Sequence, residues 1–111
     1  MTSFLAAMRE NFGGLGYSRG MNPDGQPVLH FPHLVAAKCF TEEDWTEQEA
    51  QVCLLVEIAM KAAHFGGAYH CRKMTTTEGG ARNWWHFYVS VYLDPASKTI
   101  TRAAGAPWGG T

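Results

Sequence analysis

The sequence lacks most of the features that mark enzymes and metalloproteins. Its three cysteines, Cys39, Cys53 and Cys71, are an odd number at wide spacing with no CxxC. That excludes a disulfide framework and reads as reduced, mostly buried thiols. No apolar run approaches the roughly 20 residues of a membrane-spanning helix. The opening MTSFLAAMRENF has neither the basic stretch nor the small-residue cleavage site of a secretory signal, so a cytoplasmic location is expected. The glycines of GGLGYSRG follow no GxGxxG or Walker spacing and do not lead from a strand into a helix, so they read as a helix stop and bends. Charge is also sparse, at 17% of residues, and is not gathered into the basic patch of a committed DNA binder.

What is present is globular. A chain of 111 residues that is 46% hydrophobic can build one real core, so residues 1–111 are read as a single domain. Its charge is lopsided. Residues 1–65 carry 4 Lys/Arg against 8 Asp/Glu and residues 66–111 carry 5 against 2, so a net charge of −1 conceals a moderately basic C-terminal half.

Element signals follow in order. Phe4, Leu5, Met8 and Phe12 recur at helical spacing behind Thr2 and Ser3, and Gly13-Gly14 stop that helix. Asn22-Pro23-Asp24-Gly25 has hairpin chemistry between strands at about Leu15–Met21 and Gln26–Val35. Pro27 and Pro32 should leave the second strand at an edge or interrupted. Thr41-x-x-Asp44 and Thr46-x-x-Glu49 are overlapping capping boxes, with five acids at the end where the helix dipole favours them. They open a long helix of about residues 46–65, ended by Gly66-Gly67. Val52, Leu55, Ala59 and Ala62 line one face of it, flanked by Val56 and Ala63. Leu54, Ile58 and Phe65 widen the stripe until the second half is apolar nearly all round, which predicts burial on more than one side. Three strand-like runs follow, Tyr69–Thr76, Trp84–Leu93 and Lys98–Ala104, with turns at Glu78–Ala81 and Asp94–Ser97. The tail GAPWGGT reads as irregular. The expected fold is α+β, in the order α-β-β-α-β-β-β, with an antiparallel sheet packed on the one long helix.

The stretch RNWWHFYVSVYL is the most legible. By alternation Trp85, Phe87, Val89, Val91 and Leu93 share a wholly apolar face that belongs against the helix. Trp84, His86, Tyr88, Ser90 and Tyr92 share the other, where every residue has a polar handle and Tyr and Trp supply area at little entropic cost. A three-residue loop sets Arg72 opposite His86 and His70 opposite Tyr88. A Gly-Gly turn would instead send Arg72 inward without a partner, so the first register is expected. The candidate binding residues are therefore Trp84, His86, Tyr88, Tyr92, Arg72 and His70. The competing reading is a second core layer, with the hairpin or the first helix covering this face.

Catalytic chemistry is poorly supported. His30 and His33 are spaced i,i+3 across a proline, while His70 and Cys71 are adjacent and so face opposite ways, which is not how zinc sites are built. Cys71 with His30 or His33 has no local motif behind it, and core thiols are inert. Cys53 reads as core and Glu57 as part of a solvated stripe. No catalytic residue, metal or cofactor is expected. The leading functional reading is a small stoichiometric protein-binding module: a regulator, an assembly factor or an inhibitor from a phage or mobile element. Self-association through the same face is an equal possibility within it. The alternative is a single-stranded RNA or nucleotide-ligand binder, with Arg72, Lys73, Arg82, Lys98 and Arg102 tracking phosphates beside the aromatics. Behind both stands a small zinc- or Cys/His-dependent enzyme.

Overall fold

The structure, a computed structural model, describes residues 3–12, 15–34, 45–78 and 82–103, the side chains of 45, 46, 74–78 and 82–86 excepted. Along these residues run α1 (Phe4–Phe12), β1 (Ser18–Met21), β2 (Pro27–Leu34), α2 (Trp45–Ala62), β3 (Gly66–Glu78), β4 (Arg82–Asp94) and β5 (Ile100–Arg102). They make an α+β fold of two helices and one five-stranded sheet.

Local chemistry explains the first elements. Ser3 caps α1, its Oγ accepting from the Ala6 amide at 3.1 Å. Phe4, Ala7, Met8 and Phe12 form the buried side of that helix. In the hairpin, Asn22 Oδ1 accepts from the amides of Asp24 and Gln26 at 3.1 and 2.9 Å. The Gly25 amide donates to the Asn22 carbonyl at 2.9 Å. Gly25 takes φ 78°, the left-handed conformation that closes the turn.

α2 departs from its sequence reading at both ends. It begins at Trp45, which puts Thr46 inside the helix and leaves Glu49 to pair with Arg102 at 2.6 Å. The box at Thr41–Asp44 lies outside the described residues. At its other end the helix stops at Ala62, three residues before the expected limit. The Phe65 amide donates to the Met60 carbonyl and the His64 amide to that of Lys61, both at 3.0 Å. This is a Schellman closure, with His64 at φ 61° in the position glycine ordinarily takes. Gly66 and Gly67 are not the helix stop. They open β3, where a Cβ on Gly66 would lie 2.5 Å from the Ser97 carbonyl oxygen, so the crossing segment can lie against the strand. Nor is α2 buried all round: Val52, Cys53, Val56, Ala59 and Met60 are buried, while Leu54, Ile58 and Ala62, the last expected on the buried face, are exposed.

The sheet order is β1-β2-β4-β3-β5, and the sheet is mixed. β1, β2, β4 and β3 pair antiparallel in turn, while β5 runs parallel to β3. The chain leaves β4 through the Asp94–Ser97 turn and crosses to the far side of β3. There the Gly66 and Gly67 amides donate to the carbonyls of Ser97 and Thr99, both at 2.9 Å. A purely antiparallel expectation missed this because three residues of β5 carry no sign of direction. β2 lies between β1 and β4, not at an edge. Its ladder is interrupted, though, with a register shift between Phe31 and Leu34 where Pro32 has no amide to give.

Both helices lie on one face of this sheet. Phe4 of α1 meets Phe31 edge-on, with ring centroids 6.0 Å apart. Glu57 of α2 accepts from the Tyr69 hydroxyl at 2.6 Å, and Asn11 Nδ2 ties α1 to the Leu55 carbonyl at 3.0 Å. Phe31, Phe87, Val89 and Val91 are fully buried beneath the helices. The helical layer therefore contains two helices, and the N-terminal hairpin extends the sheet at its edge instead of folding over it. Among the described residues no helix is long and apolar enough to cross a membrane.

Candidate functional site

The opposite face of the sheet is where the candidate residues belong. β3 and β4 stay paired out to Glu78↔Arg82, so Glu78 is a strand residue and not part of the turn. That moves each partner by two positions. Arg72 lies opposite Tyr88 where His86 was expected, and His70 lies opposite Ser90 where Tyr88 was expected. A slip of two keeps every side chain on its face, so the composition of the row survives the correction. In the ladder His86 pairs with Met74 and Trp84 with Thr76. The side chains of these two candidates lie outside the described residues.

The described members differ in what they offer. Arg72 is exposed, Tyr88 and Tyr92 are half-buried, and His70 is buried at 6% exposure. Arg72 and Tyr88 lie directly opposite one another, with Tyr92 further along β4.

Sequence reasoning missed the contribution of β2. His30 pairs with Ser90 in the ladder, and its Nδ1 lies 2.8 Å from Ser90 Oγ. The His30 ring also packs against Tyr88, centroids 5.9 Å apart. Gly20 on β1 makes room for it: a Cβ there would stand 2.5 Å from His30 Nε2. Burial pushes the His30 pKa below its ordinary value, so the ring is neutral at neutral pH. At the far end Gln26 Nε2 donates to the Tyr92 hydroxyl at 2.9 Å, and Gln26 Oε1 accepts from Asn22 Nδ2 at 2.9 Å. The signal for these was the even-numbered row of Gln26, just before β2, with Val28 and His30 in it, but it points to β4 only once the pairing of β2 with β4 is known.

The His30–Ser90 pair is enclosed, with Ser90 fully buried and His30 nearly so. Cys71 faces the helices and His30 the opposite side, so the sheet separates Cys71 from His30, one of the two Cys–His combinations the sequence left open. Among the described residues, no three of His, Cys, Asp and Glu are grouped to hold a metal ion. A concavity of about 210 Å³ does exist on the helix side, lined by Arg19, Pro27, Val28, Leu29, Val91 and Leu93. It is smaller than the usual ligand pocket of roughly 300–1,000 Å³ and has a single charged group to orient a ligand. No protein-family model, curated protein or solved structure matches the chain.

Proposed function

We propose that the protein is a non-catalytic module that binds another protein stoichiometrically through the helix-free face of its sheet, centred on Tyr88, Arg72 and Tyr92. The observation that carries this reading is the position of the helices. Both pack on the Phe31–Val89 side, so the half-buried tyrosines of β4 stand on a face that no described helix covers. Tyr and Arg are the residue types that most often anchor interfaces, because each couples a large contact area to a directed polar group. The bonds from His30 to Ser90 and from Gln26 to Tyr92 hold the row in place before a partner arrives, which lowers the ordering cost of binding. A regulator, assembly factor or inhibitor all fit this description, and a symmetric dimer through the same face is its homotypic form.

The experiment is to recover the protein from its native host and determine the mass and composition of what accompanies it, with and without nuclease. A protein at fixed stoichiometry, or a symmetric dimer, supports the reading. Material released by nuclease and by moderate salt would instead make Arg72 a phosphate contact and Tyr88 a stacking platform.

A further inference from the structure

The outer face of α2 carries an apolar strip that no described residue covers. Leu54 and Ile58, one turn apart, are 52% and 44% exposed. Glu47, Ala50, Gln51, Lys61 and Ala62 are exposed with them. At 3.6 residues per turn these positions fall together on the side of α2 turned away from the sheet. We propose that this strip is a self-association surface, on which a second copy of the chain lays its own α2 antiparallel about a two-fold axis at Leu54.

The order of residues along the strip identifies the occupant. Leu54 lies midway between Glu47 and Lys61. A two-fold axis through it exchanges those two positions, so each Lys61 meets the Glu47 of the second copy, about 10 Å along the helix from the axis. The same operation sets Ile58 against Ala50, a large side chain against a small one, and Leu54 against its own copy. Parallel pairing would instead set Glu47 against Glu47 and Lys61 against Lys61, which like-charge repulsion opposes. Both charges are available for the antiparallel pair: among the described residues neither has an ion-pair partner in its own chain. Glu49, by contrast, is already engaged with Arg102 at 2.6 Å.

The apolar centre supplies the attraction and the charged ends fix its direction. One helix face is at or below the small end of specific interfaces, about 1,200 Å² in total, so the dimer forms and dissociates with concentration. Both helices of each copy lie on one side of its sheet, so pairing through α2 stacks the layers as sheet, helices, helices, sheet. The helix-free faces are left pointing outward. On the reading proposed above, the dimer would therefore offer two tyrosine faces at once, although the self-association does not depend on that reading.

The test is sedimentation equilibrium of the full chain from micromolar to millimolar concentration. The parent chain should pass from monomer to dimer and no further, because a two-fold contact closes on itself. Leu54→Glu puts two like charges at the axis and should raise the dissociation constant about 30-fold or more, with an unchanged circular dichroism spectrum. Glu47→Lys and Lys61→Glu should each weaken the dimer roughly 3- to 10-fold. An equimolar mixture of those two variants should recover the parent affinity, since both pairs across the axis are then of opposite sign. Tyr88→Ala should leave the dimer intact, which separates this surface from the tyrosine face. A chain that stays monomeric throughout, a dimer that survives Leu54→Glu, or a mixture no tighter than its components would overturn the proposal.

Discussion

The two faces of β4 are built by different means from the same thirteen residues. Towards the helices stand Phe87, Val89 and Val91, each fully buried, in an apolar layer completed by Phe31, Val52, Val56 and Met60. Away from them stand Tyr88, Ser90 and Tyr92, all hydroxyl-bearing. Here order comes from directed bonds, His30 to Ser90 and Gln26 to Tyr92. An apolar face gains stability in proportion to the area it removes from water. A face fixed by hydrogen bonds gains little net stability but holds its groups in one geometry. The first face carries most of the apolar core; on the proposed reading, the second presents groups to a partner.

Mutations can break or sharpen that contrast. The largest effect is expected at Phe87→Ala, about 3–5 kcal/mol of lost unfolding free energy by urea titration, because a fully buried ring leaves a cavity under the helices. A loss below about 1 kcal/mol would mean that the helix-side layer is not the main core. On the other face Ser90→Ala should cost roughly 1–2 kcal/mol, since His30 loses a buried partner. If Ser90→Ala costs as much as Phe87→Ala, the two faces are not distinct in kind.

Acid should act through the hydrogen-bonded face. The His30 pKa lies below its unfolded value near 6.5, so above that pH both states are neutral and the ring contributes no proton linkage. As pH falls through and below that value the unfolded chain takes up a proton that the native ring resists, and stability declines towards the lowered pKa. His30→Gln should flatten this part of the profile, measured as the difference between the two chains from about pH 7.5 to about pH 5. Parallel profiles would show that His30 is not buried neutral. The smallest effect belongs to neither face. His64→Gly should stabilise by about 0.5–1 kcal/mol, relieving the left-handed conformation at the end of α2. A loss there would mean that the His64 side chain makes contacts that outweigh its backbone strain.

Legibility in the sequence followed the range of the interactions. The strand period of β4, the Asn22–Gly25 turn and the Ser3 cap are local, and each was readable from a few adjacent residues. The α+β class followed from their sum. What was hidden depends on partners distant in the chain. The pairing of β2 with β4 brings His30 to Ser90 across sixty positions, and the crossing to β5 is what requires Gly66. Nothing near Gly66 or Gly67 distinguishes a helix stop from a close backbone passage, and His64 was not recognisable as the residue that ends α2. Of the candidate site, the face was legible and the register was not. A turn of three residues can be drawn around Glu78–Gly80 or one position later, and only the full ladder decides.

The central claim is that the tyrosines of β4 serve a partner and not the fold. It is tested most directly by measuring, on one preparation of Tyr88→Ala, both the unfolding free energy and the affinity for the partner recovered with the native protein. The account predicts a stability within about 1 kcal/mol of the parent chain and a binding loss of about 2 kcal/mol or more, as at an interface hot spot. A variant several kcal/mol less stable, with unchanged affinity in the fraction that remains folded, would contradict it and make the second row of aromatics part of the core.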